Sequence, residues 1–209
     1  MIPIADVLRV AAGWIERKLG LRRQRAEILE AVGAELRELR FLLALVVSLI
    51  HTKLRTMNQS ALDLIRPVIL KYRGDAGDQA YLEATKALLA KGDAAFIAIH
   101  NATPINPGKA LYPVPYAAQV LTGHLGELGR LPESTRAPLL RIARELELYN
   151  EQVAQVRTAH DRTFDSSLSA VNYAANEANL KAGTEKLAMR AARLIEAINE
   201  VVDPHGRLR

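Results

Sequence analysis

The chain has 209 residues, 49% of them apolar and 24% charged, with a net charge of +5 and no cysteine. That length can bury one large core or two small ones, and the apolar-to-charged balance is that of an ordinary globular protein. The lack of cysteine excludes disulfides, thiolate metal sites and cysteine nucleophiles, and it fits a reducing compartment, so a cytoplasmic location is expected, peripheral at the inner face of a membrane if one end docks there. Aromatic residues make up only 5% while Ala, Leu, Glu and Arg dominate, which favours helix over sheet.

The charge is uneven. Residues 1–25 hold Arg9, Arg17, Lys18, Arg22, Arg23 and Arg25 against Asp6 and Glu16, which places +4 of the +5 at the front and leaves the other 184 residues near neutral. Duplex nucleic-acid binders carry a basic face across the whole domain, so this distribution argues against nucleic acid as a partner.

Residues 4–19 predict a short amphipathic helix with Ile4, Val7, Leu8, Ala11, Trp14 and Ile15 on one face and Arg9, Glu16 and Arg17 off it. These charges interrupt any secretory apolar region, and Ile2 excludes N-myristoylation. Gly20 is expected to break this helix. Trp14 and Ile15 beside Arg17, Lys18, Arg22, Arg23 and Arg25 have the make-up of a helix lying on an anionic surface. The competing expectation is that the apolar face packs back on the rest of the chain and the arginines are solvated.

Residues 26–57 predict a long rod. Leu29, Val32, Leu36, Leu39, Leu43, Val46 and Ile50 alternate in steps of three and four, the seam of a bundle or coiled coil. Phe41, Leu42, Leu45, Val47 and Leu49 widen the stripe, as expected of a rod with several neighbours. Such a rod is about 45–50 Å long. Its uninterrupted apolar run covers only 41–50, between Arg40 and His51, whereas a membrane span needs about 20 residues.

Shorter helices follow. One covers 60–73, started by Ser60 with Asp63 and kinked by Pro67. Another covers 79–91 and is closed by Gly92, and a third covers 94–101 behind Asp93. Residues 103–115 contain Pro104, Pro107, Pro113 and Pro115 and cannot be regular helix; an extended crossover over the core is expected. Residues 116–130 return to helix, with Gly123, Gly126 and Gly129 predicting a close backbone approach or a strained, partly 3₁₀ segment.

Two more rods close the chain. Residues 134–164 carry the seam Leu139, Ile142, Leu146, Tyr149, Val153, Val156 and His160, and residues 170–202 carry Tyr173, Leu180, Leu187, Ala191, Leu194, Ile198 and Val201. The turn between them is short, so the two should be antiparallel neighbours. The expected fold is all-α: an elongated antiparallel helical bundle of three long helices plus several shorter helices. A basic amphipathic N-terminal helix, 1–25, would precede a single bundle domain, 26–209.

Chemistry-bearing motifs are sparse. The five histidines form no Glu-x-x-His and no His-Glu-x-x-His spacing, and there is no phosphate loop, dinucleotide fingerprint or nucleophile elbow. No catalytic residue, metal or cofactor is assigned. The ligand-binding candidates are His160 with Asp161 at the end of one seam, His51 at the matching end of the first rod, and Asn172 and Asn176, which with Asn179 form a three-four stripe. Asparagine is a poor helix former, so such a stripe should bond something. The leading expectation is a non-enzymatic interaction or scaffold protein. It would dock through its N-terminal helix on an anionic membrane surface or an acidic partner, or associate with itself through its wide apolar stripes. The alternative is a small-ligand or metal-binding bundle, open to enzymatic activity, built on His51, His160, Asp161 and the asparagines.

Overall fold

Apolar residues repeating every three and four positions bury one stripe only as helices packed side by side. The computed structural model describes residues 4–73, 79–103, 113–129, 131–165, 167, 169–203 and 208, without the side chains of 4–22, 81, 127 and 128. The elements are α1 (Ile4–Leu54), α2 (Gln59–Lys71), α3 (Gln79–Leu89), α4 (Asp93–Ala102), α5 (Gln119–Gly123), α6 (Leu125–Leu128), α7 (Glu133–Arg162) and α8 (Ala170–Val201). Among the described residues there is no strand, only an isolated bridge between Val202 and Leu208. The fold is all-α, with three long helices.

The last rod is the shared one. α8 packs against α7 on one side and α1 on the other. Arg40 of α1 reaches Asn199 and Val202 at the end of α8, whereas Leu54 lines a cavity with Leu180 near its start, so α1 and α8 run antiparallel. Ala188 and Ala191 are buried in α8, and a side chain on Gly183 would come within 3.2 Å of Val156 in α7. Small residues therefore let α7 approach α8 closely. α2, α4 and α5 pack on α1 as a further layer. The expected seams form the core: Val32, Leu36, Leu43, Ile50, Leu139, Ile142, Tyr149, Leu187, Ala191, Leu194 and Ile198 are fully enclosed. Each large apolar side chain so buried contributes about 1.5–3 kcal/mol.

Polar side chains tie the layers at their ends. Arg40 is 6% exposed, and its guanidinium donates to Asn199 Oδ1 at 3.0 Å and to the carbonyls of Val202 and Asp203 at 3.5 and 3.3 Å. A cation is thus held on the unsatisfied carbonyl end of α8, where the helix dipole favours it. Glu35 accepts from the backbone N–H groups of Val120 and Leu121, both at 2.9 Å, and so starts α5 from a distant helix. Asn101 brackets both backbone groups of Met57 and Asn150 both of Tyr116, each pair at 2.7–3.0 Å.

Several expectations are corrected. α1 is one helix of 51 residues, about 75 Å long, and runs through Gly20 without a break. An interior glycine costs about 1 kcal/mol against alanine, too little to stop a helix flanked by Leu19, Leu21, Arg22 and Arg23. The cap of α2 is Asn58, whose side chain accepts from Ala61 N at 2.9 Å, and not Ser60. The expected helix over 116–130 is two short pieces split at His124, and Gly123 and Gly126 have open space where a side chain would go. The glycines therefore serve the break and not a close helix–helix approach. Most of the proline-rich segment 103–115 lies outside the described residues. Among the described residues no helix is long and apolar enough to cross a membrane.

Burial along α1 begins at Ile28 and Leu29 and is complete at Val32. Residues 23–27 are all exposed. Five consecutive exposed positions exceed one helical turn, so among the described residues no side of α1 is buried there.

Candidate functional site

The C-terminal end of α1 carries two cavities, one on each side of Leu54. The first, about 450 Å³, lies between α1, the start of α2 and α8, with Val47, Ile50, His51, Ala188 and Met189 among its walls. The chain turns sharply after α1: Arg55 adopts the left-handed conformation at φ 54° and returns Thr56 onto the last turn. His51 Nδ1 then lies 3.1 Å from the Thr56 carbonyl and 3.0 Å from its hydroxyl. A carbonyl only accepts, so Nδ1 carries the proton and Nε2 is left as an acceptor. Burial pulls the His51 pKa below the ordinary histidine value, against the smaller opposing effect of the bond to Thr56. The ring is therefore neutral near pH 7.

The second cavity, about 360 Å³, opens beside the turn between α7 and α8 and is lined by Lys53, Leu54, His160, Phe164, Tyr173 and Leu180, among others. Lys53 is half-buried, and burial lowers its pKa from the ordinary lysine value. Phe164 and Tyr173 are 77% and 40% exposed at the mouth. His160 Nδ1 lies 3.4 Å from Asp161 Oδ1, and its ring meets the Phe164 ring edge-on at 5.2 Å between centroids.

The candidates from the sequence disperse. His51 lines the first cavity and His160 the second, so the two histidines do not share one site. Asp161 is solvent-exposed. Asn176 is buried and donates to the Ala159 carbonyl at 2.8 Å, tying α8 to the end of α7. Asn172 and Asn179 are exposed, Asn172 lying in the first turn of α8 where its backbone N–H meets the Ser169 hydroxyl at 3.3 Å. Arg23 and Arg25 are exposed on α1. Trp14, Ile15, Arg17, Lys18 and Arg22 belong to the same helix, but their side chains lie outside the described residues. No three His, Asp or Glu side chains among the described residues stand together as a metal site.

Lys53 is the site residue that sequence reasoning missed, and the signal was present. The seam runs 43, 46, 50, and its next step of three lands on 53, where a lysine replaces the expected apolar residue. Phe164 had no comparable signal, because it follows α7 and its exposure depends on the turn geometry. Comparison with protein-family models, curated proteins and solved structures finds no match for this chain.

Proposed function

We propose that this is a non-enzymatic helical-bundle interaction protein that docks reversibly on an anionic membrane surface through its front segment. The observation that carries the proposal is the placement of charge. Net +4 of +5 lies in residues 1–25, beside an apolar face containing Trp14 and Ile15. Two features of the fold support it. α1 continues as a single helix from Ile4, so the front does not fold back as a separate element, and residues 23–27 are uncovered on all sides. Arg17, Lys18, Arg22, Arg23 and Arg25 would meet anionic head groups, each contributing about 1 kcal/mol near the surface, while Trp14 and Ile15 insert. That sum gives peripheral, salt-sensitive binding.

Flotation with vesicles of phosphatidylcholine, with and without phosphatidylserine, tests this. The full chain should float with the anionic vesicles at low salt and be released as salt rises. The full-length variant carrying Arg17→Glu, Lys18→Glu, Arg22→Glu and Arg23→Glu should stay at the bottom. Equal behaviour on both lipids, or no flotation of the wild type, sinks the proposal. A protein partner with an acidic surface would then be sought.

A further inference from the structure

We infer that the cavity beside the α7–α8 turn is a binding site for a small organic anion with a planar apolar body, of which an aromatic carboxylate is the simplest. It involves no residue of the front segment and stands whether or not the protein docks on membranes.

Lys53 is the anchor. It occupies a seam position, is half-buried, and forms no hydrogen bond or ion pair with the described residues. Its stem packs at the seam while the ammonium keeps contact with the solvent of the cavity, and partial burial makes a counter-charge there favourable. Among the described residues no carboxylate forms an ion pair with Lys53. Lys181 on the same lining is a second cation that forms no ion pair among the described residues. Glu177 is the one carboxylate lining the cavity, and it is exposed to solvent.

The hydrogen-bonding groups point the same way. The Thr163 hydroxyl donates to the His160 carbonyl at 2.6 Å and the Thr184 hydroxyl to the Leu180 carbonyl at 2.7 Å, so both donors are already used inside the helices. Of the polar side chains on the lining, the two ammonium groups and the Tyr173 hydroxyl can donate, against the single exposed carboxylate of Glu177, and the His160 ring stands beside them. Two cations against one solvent-exposed carboxylate favour a negatively charged head.

The body of the ligand follows from the walls. Leu54 and Leu180 give an apolar floor, and the Phe164 and Tyr173 rings stand exposed at the mouth. Aromatic rings favour offset-stacked or edge-on partners, which a planar body provides. About 360 Å³ lies within the ordinary range for small-ligand pockets and is too small for a folded segment.

The test uses the full chain and two probes of the same shape, 2-naphthoate and the uncharged 2-naphthylmethanol, titrated by calorimetry. Naphthoate should bind saturably at one site per chain, and tighter than the alcohol. Lys53→Met, which keeps the apolar stem, should weaken naphthoate at least tenfold and leave the alcohol unchanged, while Lys53→Arg should retain most of the binding. Phe164→Ser alters an exposed position that the core does not need, and it should weaken both probes. Far-ultraviolet circular dichroism establishes that each variant is folded. The inference is overturned if wild type gives no saturable naphthoate binding, if acid and alcohol bind alike, or if neither Lys53→Met nor Phe164→Ser weakens the acid.

Discussion

The two halves of α1 are one helix in two environments. From Val32 to Thr52 it is enclosed by α8 on one side and by α2, α4 and α5 on others, so even Arg40 and Ser48 are buried. At residues 23–27 every side chain is exposed. Helix continuity is a local property: once the buried half nucleates it, the helix propagates through Gly20 at small cost. What an apolar stripe does is set by what lies opposite, and the two stripes of α1 look alike in sequence. The buried stripe holds the fold together; the front stripe is the one we propose meets another surface.

The largest effect should separate these halves directly. Phe41 is fully buried and stacks on Tyr72 with centroids 3.7 Å apart and planes 4° apart. Phe41→Ala should cost about 3–5 kcal/mol of unfolding free energy in urea. Leu8→Ala in the front half should stay within about 0.5 kcal/mol. A loss of several kcal/mol from Leu8→Ala would mean the front is packed after all, and the contrast would fail.

A smaller effect sharpens the same contrast for charge. Arg23 and Arg25 in the front are exposed, whereas Arg40 serves the fold by closing the carbonyl end of α8. Arg40→Met keeps most of the packing but strips three acceptors of their donor. It should cost about 2 kcal/mol and speed amide exchange in the last turn of α8. Arg23→Met should leave both measurements unchanged. Unaltered exchange in α8 after Arg40→Met would show that water satisfies those carbonyls as well as the guanidinium does.

The seams of α1, α7 and α8 were legible because burial against one neighbour imposes a period that composition alone displays. The polar ties were not. Glu35 meets α5 some 85 residues away, Arg40 meets the end of α8 some 160 away, and Asn150 meets Tyr116 across α5 and α6. Nothing local marks a charged residue whose partner is that distant. The histidine candidates were chosen by residue type, yet Leu54 between the two cavities decides that His51 and His160 act separately. Lys53 was readable as a break in the seam, but its unpaired state follows from the packing of α8 and the α7–α8 turn.

The smallest effect is pH dependence, and it divides the molecule along the same line. Titration near neutrality belongs to the body. His51 and His100 both have pKa values lowered chiefly by burial, against opposing bonds to the Thr56 and Phe96 carbonyls. Their unfolded values are about 6.5. A lowered folded pKa means the unfolded chain binds the proton more readily, so stability is complete above about 6.5 and is lost as pH falls through the folded values. Urea midpoints should therefore drop between pH 7.5 and 5.5, and the double variant His51→Gln, His100→Gln should flatten that slope. Residues 1–25 contain no histidine, and arginine, lysine and carboxylates keep their charges over this range. Flotation on anionic vesicles should accordingly stay constant while stability falls. If flotation instead followed the urea midpoint down, binding would depend on the folded body, and the surface that meets the membrane would have to include groups beyond the front half of α1.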